Sequence, residues 1–427
     1  MTASNPVLGR MLWLGGLVFV FAALATSAAC GDDDSTPAPQ TTAGGGAGQL
    51  ITLKIGSIED LTGTNSSGVV LTAEGTRFAA ETINKAGGFE VNGKRYNLEV
   101  LERDTRSDAS VAASATLELV RDKGVIVLFG TQLETGVSAI PITQEAGVIH
   151  FMAPTAMEKE LDNPRNCCLF RSSISSKFRD PVWLQAAADL LHKADPSLKT
   201  VAMIFPNNAS FQALSKIWGD AAKAAGLEIV DTQLYEPGTT DFSGLVSSVG
   251  RKKPDIIFGG PLPTDSQAII RQAVELGVGK AFLFPAVPLT IGKDALGKPL
   301  SQPLVSMFTG AQFAKPSTPE LQSFIDSWLK WRGGGAMPKQ NPESVLFFYD
   351  SVFQWVAAVK KAGCVPDNPG ASAGPDECTS KIVAILTKDP YTGIRGLIQY
   401  DATHRVKYPV DACIVQGETI TCVSKET

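Results

Sequence analysis

The stretch Ile51–Leu161 decides the fold of this chain. It opens with Ile51-Thr52-Leu53-Lys54-Ile55-Gly56-Ser57, continues with Leu61-Thr62-Gly63, and then forms a helical pattern that ends in Ile83-Asn84-Lys85-Ala86-Gly87-Gly88. It closes on Phe151-Met152-Ala153-Pro154-Thr155. Strand and helix patterns alternate between these motifs. Such alternation is typical of a parallel sheet with helices on both faces.

Within this stretch, the first helix is predicted to place Leu71, Gly75, Ala79 and Ile83 on one face, because these residues recur at four-residue spacing. The segment from Gly88 to Lys94 matches most of a phosphate-binding loop. However, Arg95 stands where that loop needs Ser or Thr, and the segment enters a strand instead of a helix. We therefore interpret it as a β-hairpin that turns at an Asn-Gly pair.

The same alternation continues to the C-terminal part of the chain. A body of this length is too large for one ordinary core, so two lobes are expected, each an α/β unit with a parallel sheet. Further helices are predicted at 109–122, near 138–146, and at 178–193, 211–225, 242–252, 264–276, 319–331, 342–362 and 379–386.

The N-terminal residues 1–29 have the pattern of a signal peptide, in which Arg10 precedes the apolar run from Met11 to Leu24. Cys30 follows the small residues at 27–29 and resembles the lipid-attachment site of a bacterial lipoprotein. Because Ser27 replaces the Leu usual in that motif, ordinary secretory cleavage is the alternative. We favour lipidation at Cys30, followed by a flexible Gly-, Pro- and Thr-rich tether over 30–49.

Charge and cysteine content narrow the class of protein. The net charge is −5 and no run of basic residues occurs, which argues against nucleic-acid binding. Six cysteines besides Cys30 indicate disulfides in an extracytoplasmic protein. We predict the bonds Cys364–Cys378, across a Pro/Gly loop, and Cys413–Cys422, across a hairpin. The adjacent pair Cys167–Cys168 is either a vicinal disulfide or two reduced thiols.

The motifs Leu61-Thr62-Gly63, Ile83 to Gly88 and Phe151 to Thr155 resemble the first lobe of the branched-chain amino-acid (Leu/Ile/Val) binding family of type I periplasmic binding proteins. The resemblance implies two Rossmann-like lobes joined by three crossovers, near Phe170–Ser173, Phe308–Gly310 and Gly393–Gln399. The implied boundaries are 50–171 plus 310–394 for lobe 1 and 173–308 plus 397–427 for lobe 2.

The resemblance also implies a function. A bacterial protein of this family is a monomeric, extracytoplasmic solute-binding protein that delivers a small molecule to the permease of an ABC importer. It is not an enzyme, and it needs no cofactor or metal. Here it would be held to the cell membrane by the lipid on Cys30. The alternative is a sensor that reports the ligand to a signalling partner.

The ligand is expected at the carboxyl ends of the strands, where open α/β sheets bind small molecules. Six loops lie there, at 61–67, 131–136, 153–159, 206–211, 261–265 and 285–289. Residue-by-residue comparison with the family motifs assigns ligand-binding roles to Asn65, Ser66, Glu134, Thr135, Thr155, Met157, Ser210, Phe211, Pro261 and Ala286.

Several of these positions depart from the family pattern. Glu134-Thr135 replaces a Ser-Ser pair, Met157 replaces a Thr, Pro261 replaces a Tyr, and Ala286 replaces a Glu that pairs with the ligand ammonium. A buried ammonium without a carboxylate partner would cost several kcal/mol. The ligand is therefore either a branched-chain amino acid, with Glu134 supplying the missing acid, or a less polar small molecule.

A hydrolase is the remaining class of function. Gly370-Ala-Ser372-Ala-Gly374 spells the nucleophile-elbow pattern, but that elbow requires a preceding strand and a following helix. This segment instead lies in a Pro/Gly-rich loop between two cysteines. We found no nucleophile and base pair in the sequence, so binding without chemistry is the expectation.

Overall fold

Two main sheets organise the part of the chain that the computed structural model describes. The described residues are 50–130, 132–153, 161, 163, 166–260, 262–285, 299–309, 313, 316, 318–338, 342–367, 374–406 and 409–426. Within these ranges, no helix has both the length and the apolar character needed to cross a membrane. The predicted signal peptide, Cys30 and the tether lie outside the described residues.

The first sheet is built from β1 (Leu50–Glu59), β2 (Phe89–Val91), β3 (Lys94–Asp104), β4 (Val127–Gly130), β5 (Ile149–Met152) and β6 (Leu169–Arg171). The strand order is β2-β3-β1-β4-β5-β6, and all neighbours are parallel except the hairpin pair β2–β3. Parallel neighbours require crossover connections, and among the described residues helices provide them after β1, β3 and β4.

The second sheet is built from β7 (Thr200–Pro206), β8 (Glu228–Tyr235), β9 (Ile256–Gly259), β10 (Ala281–Leu283), β11 (Leu304–Thr309), β14 (Val410–Gln416) and β15 (Thr419–Lys425). Its order is β15-β14-β11-β10-β9-β7-β8, parallel from β8 to β11 and antiparallel at β14 and β15. A separate two-stranded hairpin is formed by β12 (Tyr391–Gly393) and β13 (Gly396–Ile398).

The helices alternate with these strands. They are α1 (Ser66–Lys85), α2 (Ala109–Leu117), α3 (Leu133–Ala146), α4 (Ser176–Ala194), α5 (Ala209–Ala224), α6 (Ser243–Gly250), α7 (Pro263–Glu275), α8 (Pro319–Trp331), α9 (Val345–Ala362) and α10 (Glu377–Lys388). The predicted α/β architecture is therefore confirmed, as is the hairpin at Asn92-Gly93.

Two helices differ locally from the prediction. The helix expected over 109–122 is α-helical only to Leu117, and the five residues Glu118–Asp122 form a π-helix. The helix expected near 138–146 begins earlier, at Leu133. The Thr135 and Ser138 hydroxyls donate to carbonyl oxygens three residues before them, so these polar side chains are satisfied inside the first turns of the helix.

Gly75 sets the distance between two helices of the first lobe. A Cβ at this position would lie 2.0 Å from the carbonyl oxygen of Val345, at the start of α9. Only the missing side chain permits this approach of the α1 and α9 backbones. The four-residue spacing seen in the sequence thus places a glycine, rather than a large apolar residue, at the contact.

Two disulfides join the predicted pairs. Cys364–Cys378 connects the end of α9 to the start of α10, and Cys413–Cys422 connects the directly paired positions of β14 and β15. Both bonds close short segments of chain, which restricts the unfolded state and stabilises the folded one. Cys167 and Cys168 are free thiols.

A row of stacked rings crosses the first sheet. Phe129, Phe151 and Phe170 occupy matching register positions on β4, β5 and β6, with ring centroids 5.2 and 5.5 Å apart. His404 stacks on Phe170 at 4.3 Å and adds a ring from the C-terminal part of the chain. In-register residues on parallel strands face the same side of a sheet, so the row is a direct product of strand pairing.

The chain passes between the two sheets where a buried ion pair holds several segments together. Asp350, on α9, accepts hydrogen bonds from the backbone N–H groups of Ile394 and Arg395 and from the Arg395 guanidinium. The ion-pair distance is 3.1 Å and both side chains are 2% exposed. Arg395 also donates to the carbonyl oxygen of Ser172, at 2.6 Å, and Ser172 shares a hydrogen bond with Ser351. The segments after β6 and after β12 are thereby fixed to α9.

Removal of the Asp350 charge is predicted to destabilise the whole protein. Asp350→Asn removes the charge that faces the buried Arg395 guanidinium, and breaking a buried ion pair costs roughly 3–5 kcal/mol. Urea denaturation should show this loss in the free energy of unfolding. The control is Lys361→Gln, which breaks the exposed Lys361–Asp389 pair at 2.7 Å and should cost no more than about 1 kcal/mol. Equal losses in the free energy of unfolding for both variants would contradict the conclusion that the Asp350–Arg395 ion pair stabilises the fold.

His150 is a buried titratable group on β5. Its Nε2–H donates to the Gly130 carbonyl oxygen at 3.0 Å, and its side chain is completely buried. Burial lowers the pKa of His150 to about 4, and the Gly130 hydrogen bond opposes that shift only in part. The imidazole is therefore neutral in the folded protein at neutral pH.

His150 should make folding stability depend on pH. The unfolded histidine takes up its proton near its ordinary pKa of about 6.5, whereas the folded one does so only near pH 4. The unfolded state therefore binds more protons between these values, and about 3 kcal/mol of stability should be lost as the pH falls from 6.5 to 4. His150→Gln removes the titrating group. Parallel stability curves for the variant and the natural protein across this window would refute the prediction.

Candidate functional site

The loops at the carboxyl ends of the two sheets face each other and are in contact. The Glu134 carboxylate, on α3, accepts a hydrogen bond from the backbone N–H of Ser210, on α5, at 2.7 Å. Thr264, on α7, donates to the hydroxyl of Ser67, on α1, at 2.9 Å. Each bond joins a helix that follows a strand of the first sheet to one that follows a strand of the second. We call the space bordered by these loops the cleft.

Glu134 is positioned to neutralise the start of α5. Four N–H groups at a helix N-terminus lack partners within the helix, and the helix dipole makes that end positive. The Asn208 side chain accepts from the N–H of Phe211 at 2.9 Å, and Glu134 accepts from the N–H of Ser210. One cap thus comes from the same lobe and the other from across the cleft.

The turn that leads into α3 is tightly constructed. Gly130 has φ 111°, and a Cβ there would lie 2.1 Å from the carbonyl oxygen of Ile58. Leu133 has φ 54°, in the left-handed region, which costs a residue other than glycine about 1–3 kcal/mol. Between them Gln132 is 8% exposed, and its Nε2 has no hydrogen-bond partner among the described residues. Strain and an unpaired buried donor occur together beside Glu134.

The predicted residues of the first loop make contacts within lobe 1. Asn65 is 5% exposed and donates from Nδ2 to the Asp60 carboxylate at 3.1 Å, while its backbone N–H donates to the Ser107 hydroxyl. The Ser66 hydroxyl donates to the carbonyl oxygen of Gly63 at 2.9 Å. These bonds fix the shape of the loop.

Asp60 is a functional candidate that the sequence analysis did not single out. It is 1% exposed, and Thr105 and Asn65 donate to its carboxylate. Burial raises the pKa of Asp60 above its ordinary value, and the nearby charge of Glu134 acts in the same direction. Its position directly after β1, at the carboxyl end of a strand, is the signal that could have identified it.

Thr135, Ser210 and Phe211 are buried under the cleft. Thr135 is 1% exposed, and its hydroxyl donates to the Gln132 carbonyl oxygen at 2.7 Å. Ser210 and Phe211 are each 1% exposed, and the Phe211 ring belongs to the large hydrophobic core. Their roles toward a ligand stay predictions. Thr155, Met157, Pro261 and Ala286 lie outside the described residues, as does most of the rejected Gly370–Gly374 motif.

The second lobe contributes a carboxyl group to the border of the cleft. The Tyr235 hydroxyl donates to the Asp265 carboxylate at 2.7 Å, at the N-terminal turn of α7. Burial raises the pKa of Asp265, and the hydrogen bond from Tyr235 opposes that shift. Asp265 is adjacent to Thr264 in the chain. The Tyr235–Asp265 pair therefore lies next to the hydrogen bond that joins Thr264 to Ser67 across the cleft.

Known proteins match nearly the whole chain beyond the N-terminal segment. A "Leu/Ile/Val-binding protein homolog 8" of Brucella abortus (strain 2308) is 26% identical over 355 residues, which cover 80% of this chain and 83% of the relative. The substrate-binding protein LivJ of a branched-chain amino-acid transporter of Streptococcus pneumoniae, solved with isoleucine, has a TM-score of 0.70 and 19% identity. That match covers 88% of this chain and all of LivJ.

A second solved structure has the same fold and another ligand. The ABC-transporter solute-binding protein of Rhodopseudomonas palustris BisB5, in complex with 3,4-dihydroxybenzoic acid, has a TM-score of 0.67 and 20% identity, with 88% of this chain and 96% of that chain covered. The family model described as "Periplasmic binding protein" matches residues 52–416. The relatives are binding proteins, which confirms the expectation that the chain is not an enzyme. The chain belongs to the periplasmic binding protein family.

Proposed function

We propose that this protein is the extracytoplasmic solute-binding component of an ABC importer and that it captures a small molecule between two closing lobes. The observation that carries this proposal is the hydrogen bond from Ser210 to Glu134 across the cleft. It ties the moving parts together at the edge where α/β sheets bind ligands. The proposed lobes are 50–171 plus 310–394 and 173–308 plus 397–427, and the hinges are the segments that pass between them.

The bonds across the cleft favour the closed conformation but are too few to lock it. A hydrogen bond to a charged group contributes about 1.5–3 kcal/mol, and the Thr264–Ser67 bond between neutral groups about 1 kcal/mol. Equilibria of this size shift readily when a ligand adds contacts to both lobes. The geometry thus supports a two-state device in which the ligand completes closure.

The proposed ligand is a branched-chain amino acid or a less polar small molecule, and the described contacts favour the second. One oxygen of Glu134 is already bound to Ser210, and the buried Thr135 hydroxyl is bound to Gln132. The Thr135 hydroxyl would have to give up its bond to Gln132 before it could donate to the carboxylate of an amino acid, whereas the Glu134 carboxylate keeps further lone pairs that could accept from an ammonium. The aromatic acid bound by the Rhodopseudomonas palustris protein shows that this fold also accommodates a ligand with no ammonium group.

Delivery of the ligand requires a membrane partner. We propose that the closed protein docks on the permease subunits as a monomer and that the lipid on Cys30 holds it at the cell membrane. The tether over 30–49 would span roughly 25 Å as a flexible coil. That distance lets the folded body reach the permease without leaving the membrane surface.

A thermal-shift screen should identify the ligand class. A ligand at one hundred times its Kd stabilises the folded protein by about 2.7 kcal/mol, which for a chain of this size raises Tm by a few degrees. We expect aromatic or short-chain carboxylic acids to raise Tm more than leucine, isoleucine or valine. Calorimetric titration of each positive compound then gives its Kd.

The screen also tests the two parts of the proposal separately. Micromolar binding of leucine, isoleucine or valine, abolished by Glu134→Gln, would refute the preference for a less polar ligand but retain the binding function. The absence of any shift across amino acids, amides and organic acids, in a folded protein, would count against solute capture itself.

Glu134→Gln should open the ligand-free protein. The change keeps an oxygen that can accept from Ser210 but removes the charge that faces the α5 N-terminus, an interaction of about 1–2 kcal/mol in a partly buried setting. The ratio of closed to open molecules should fall about tenfold. Small-angle scattering should detect this as a larger radius of gyration without ligand.

Glu145→Gln provides the matched control. Glu145 is on the same helix and pairs with Arg121 at 3.4 Å, and both side chains are largely exposed. Its substitution changes the net charge equally but removes no contact across the cleft. If both variants scatter like the natural protein, Glu134 does not hold the lobes together.

A further inference from the structure

The adjacent thiols of Cys167 and Cys168 meet in space. Successive side chains of a strand point to opposite faces, but these two residues form a turn immediately before β6. The turn brings the two thiol side chains close to each other. The chain thus places two free sulfur atoms side by side in a protein whose other described cysteines are in disulfides.

Neighbouring elements hold this turn in place. The Gln144 side-chain oxygen, on α3, accepts from the backbone N–H of Cys168 at 2.9 Å and from the Cys167 thiol at 3.7 Å. The Cys168 carbonyl oxygen accepts from the N–H of His150 at 2.8 Å. The pair is therefore attached to both α3 and β5, and its geometry is set by the fold rather than by a freely moving loop.

The two sulfur atoms differ in access and in acidity. Cys167 is only partly buried, whereas Cys168 is completely buried. The proximity of Cys168 lowers the pKa of the Cys167 thiol, whereas the proximity of Cys167 together with burial raises the pKa of Cys168. Cys167 is therefore the more accessible and the more acidic of the two thiols, and a thiolate is the form that attacks disulfides.

We propose that Cys167 and Cys168 form a redox-active modification site that exchanges with external disulfides and closes into a vicinal disulfide. Cys167 is the attacking thiol and Cys168 is the resolving thiol. The oxidant is a disulfide, either a small molecule or the active-site disulfide of an extracytoplasmic thiol oxidase. This property is independent of the ligand that the cleft binds.

The exchange proceeds in two balanced steps. The Cys167 thiolate attacks one sulfur of the external disulfide, so that a mixed disulfide forms and the first thiolate leaves. The Cys168 thiol then loses its proton and attacks the Cys167 sulfur, which releases the second thiolate. The pair loses two electrons and two protons, and the external disulfide is reduced to two thiols. The second step is intramolecular, so burial of Cys168 does not prevent it.

Closure of the ring would act on the neighbouring elements. The oxidised Cys167 has no S–H to donate to Gln144, and the new bond restricts the turn that precedes β6. Because Gln144 is on the same helix as Glu134, the site connects thiol chemistry to one border of the cleft.

The test treats the folded protein, in a Cys30→Ser background, with dithiobis-nitrobenzoate, an aromatic disulfide that releases a coloured thiolate. The natural pair should release two equivalents of thiolate and retain no adduct, and the intact mass should fall by two hydrogen atoms. Dithiothreitol should restore the original mass. Release of one equivalent with a stable adduct on Cys167, or no release at all, would overturn the proposal.

Two serine variants assign the roles of the thiols. Cys168→Ser should release one equivalent and keep the adduct on Cys167, because the resolving thiol is missing. Cys167→Ser should react at least about tenfold more slowly, because the remaining thiol is buried and less acidic. Equal rates for the two variants would contradict the assignment of Cys167 as the attacking group. The result for the natural pair decides the proposal even if a variant fails to fold.

Discussion

The Asp350 carboxylate is the point on which the arrangement of the two lobes depends. It accepts hydrogen bonds from two backbone N–H groups of the segment after β12 and from the Arg395 guanidinium. The same guanidinium donates to the carbonyl oxygen of Ser172. A buried charge is tolerated only where its partners are fixed, since each unpaired ion would cost several kcal/mol. The carboxylate thus gives the passages between the lobes a defined geometry.

The cleft is bordered by helix N-termini because of how the two sheets are built. Parallel strands direct every following helix N-terminus to the same edge of a sheet, and two such edges meet here. Helix N-termini attract anions. At α5 that attraction is satisfied by Glu134 from the opposite lobe, so the protein itself supplies the negative group. A ligand that enters the cleft must therefore either complement this internal pair or displace it.

The amino-acid sequence predicted the framework of the fold far better than the contacts of the cleft. The alternation of strands and helices follows from local periodicity, and the two disulfides follow from the turns that they enclose. Side-chain direction does not follow from such patterns. No local pattern indicates that the Thr135 hydroxyl donates within a helical turn, and Asp60 was missed because its hydrogen bond with Thr105 joins residues far apart in the chain.

The same distinction explains why family membership alone does not define the ligand. The glycine at 130, the left-handed Leu133 and the helix that follows belong to the scaffold, and they dictate where a recognition group must stand. They do not dictate what it recognises. Glu134 stands at that position, and its carboxylate already accepts a hydrogen bond from the start of α5. The side chain at the border of the cleft, and not the scaffold beneath it, therefore sets the charge that the cleft presents.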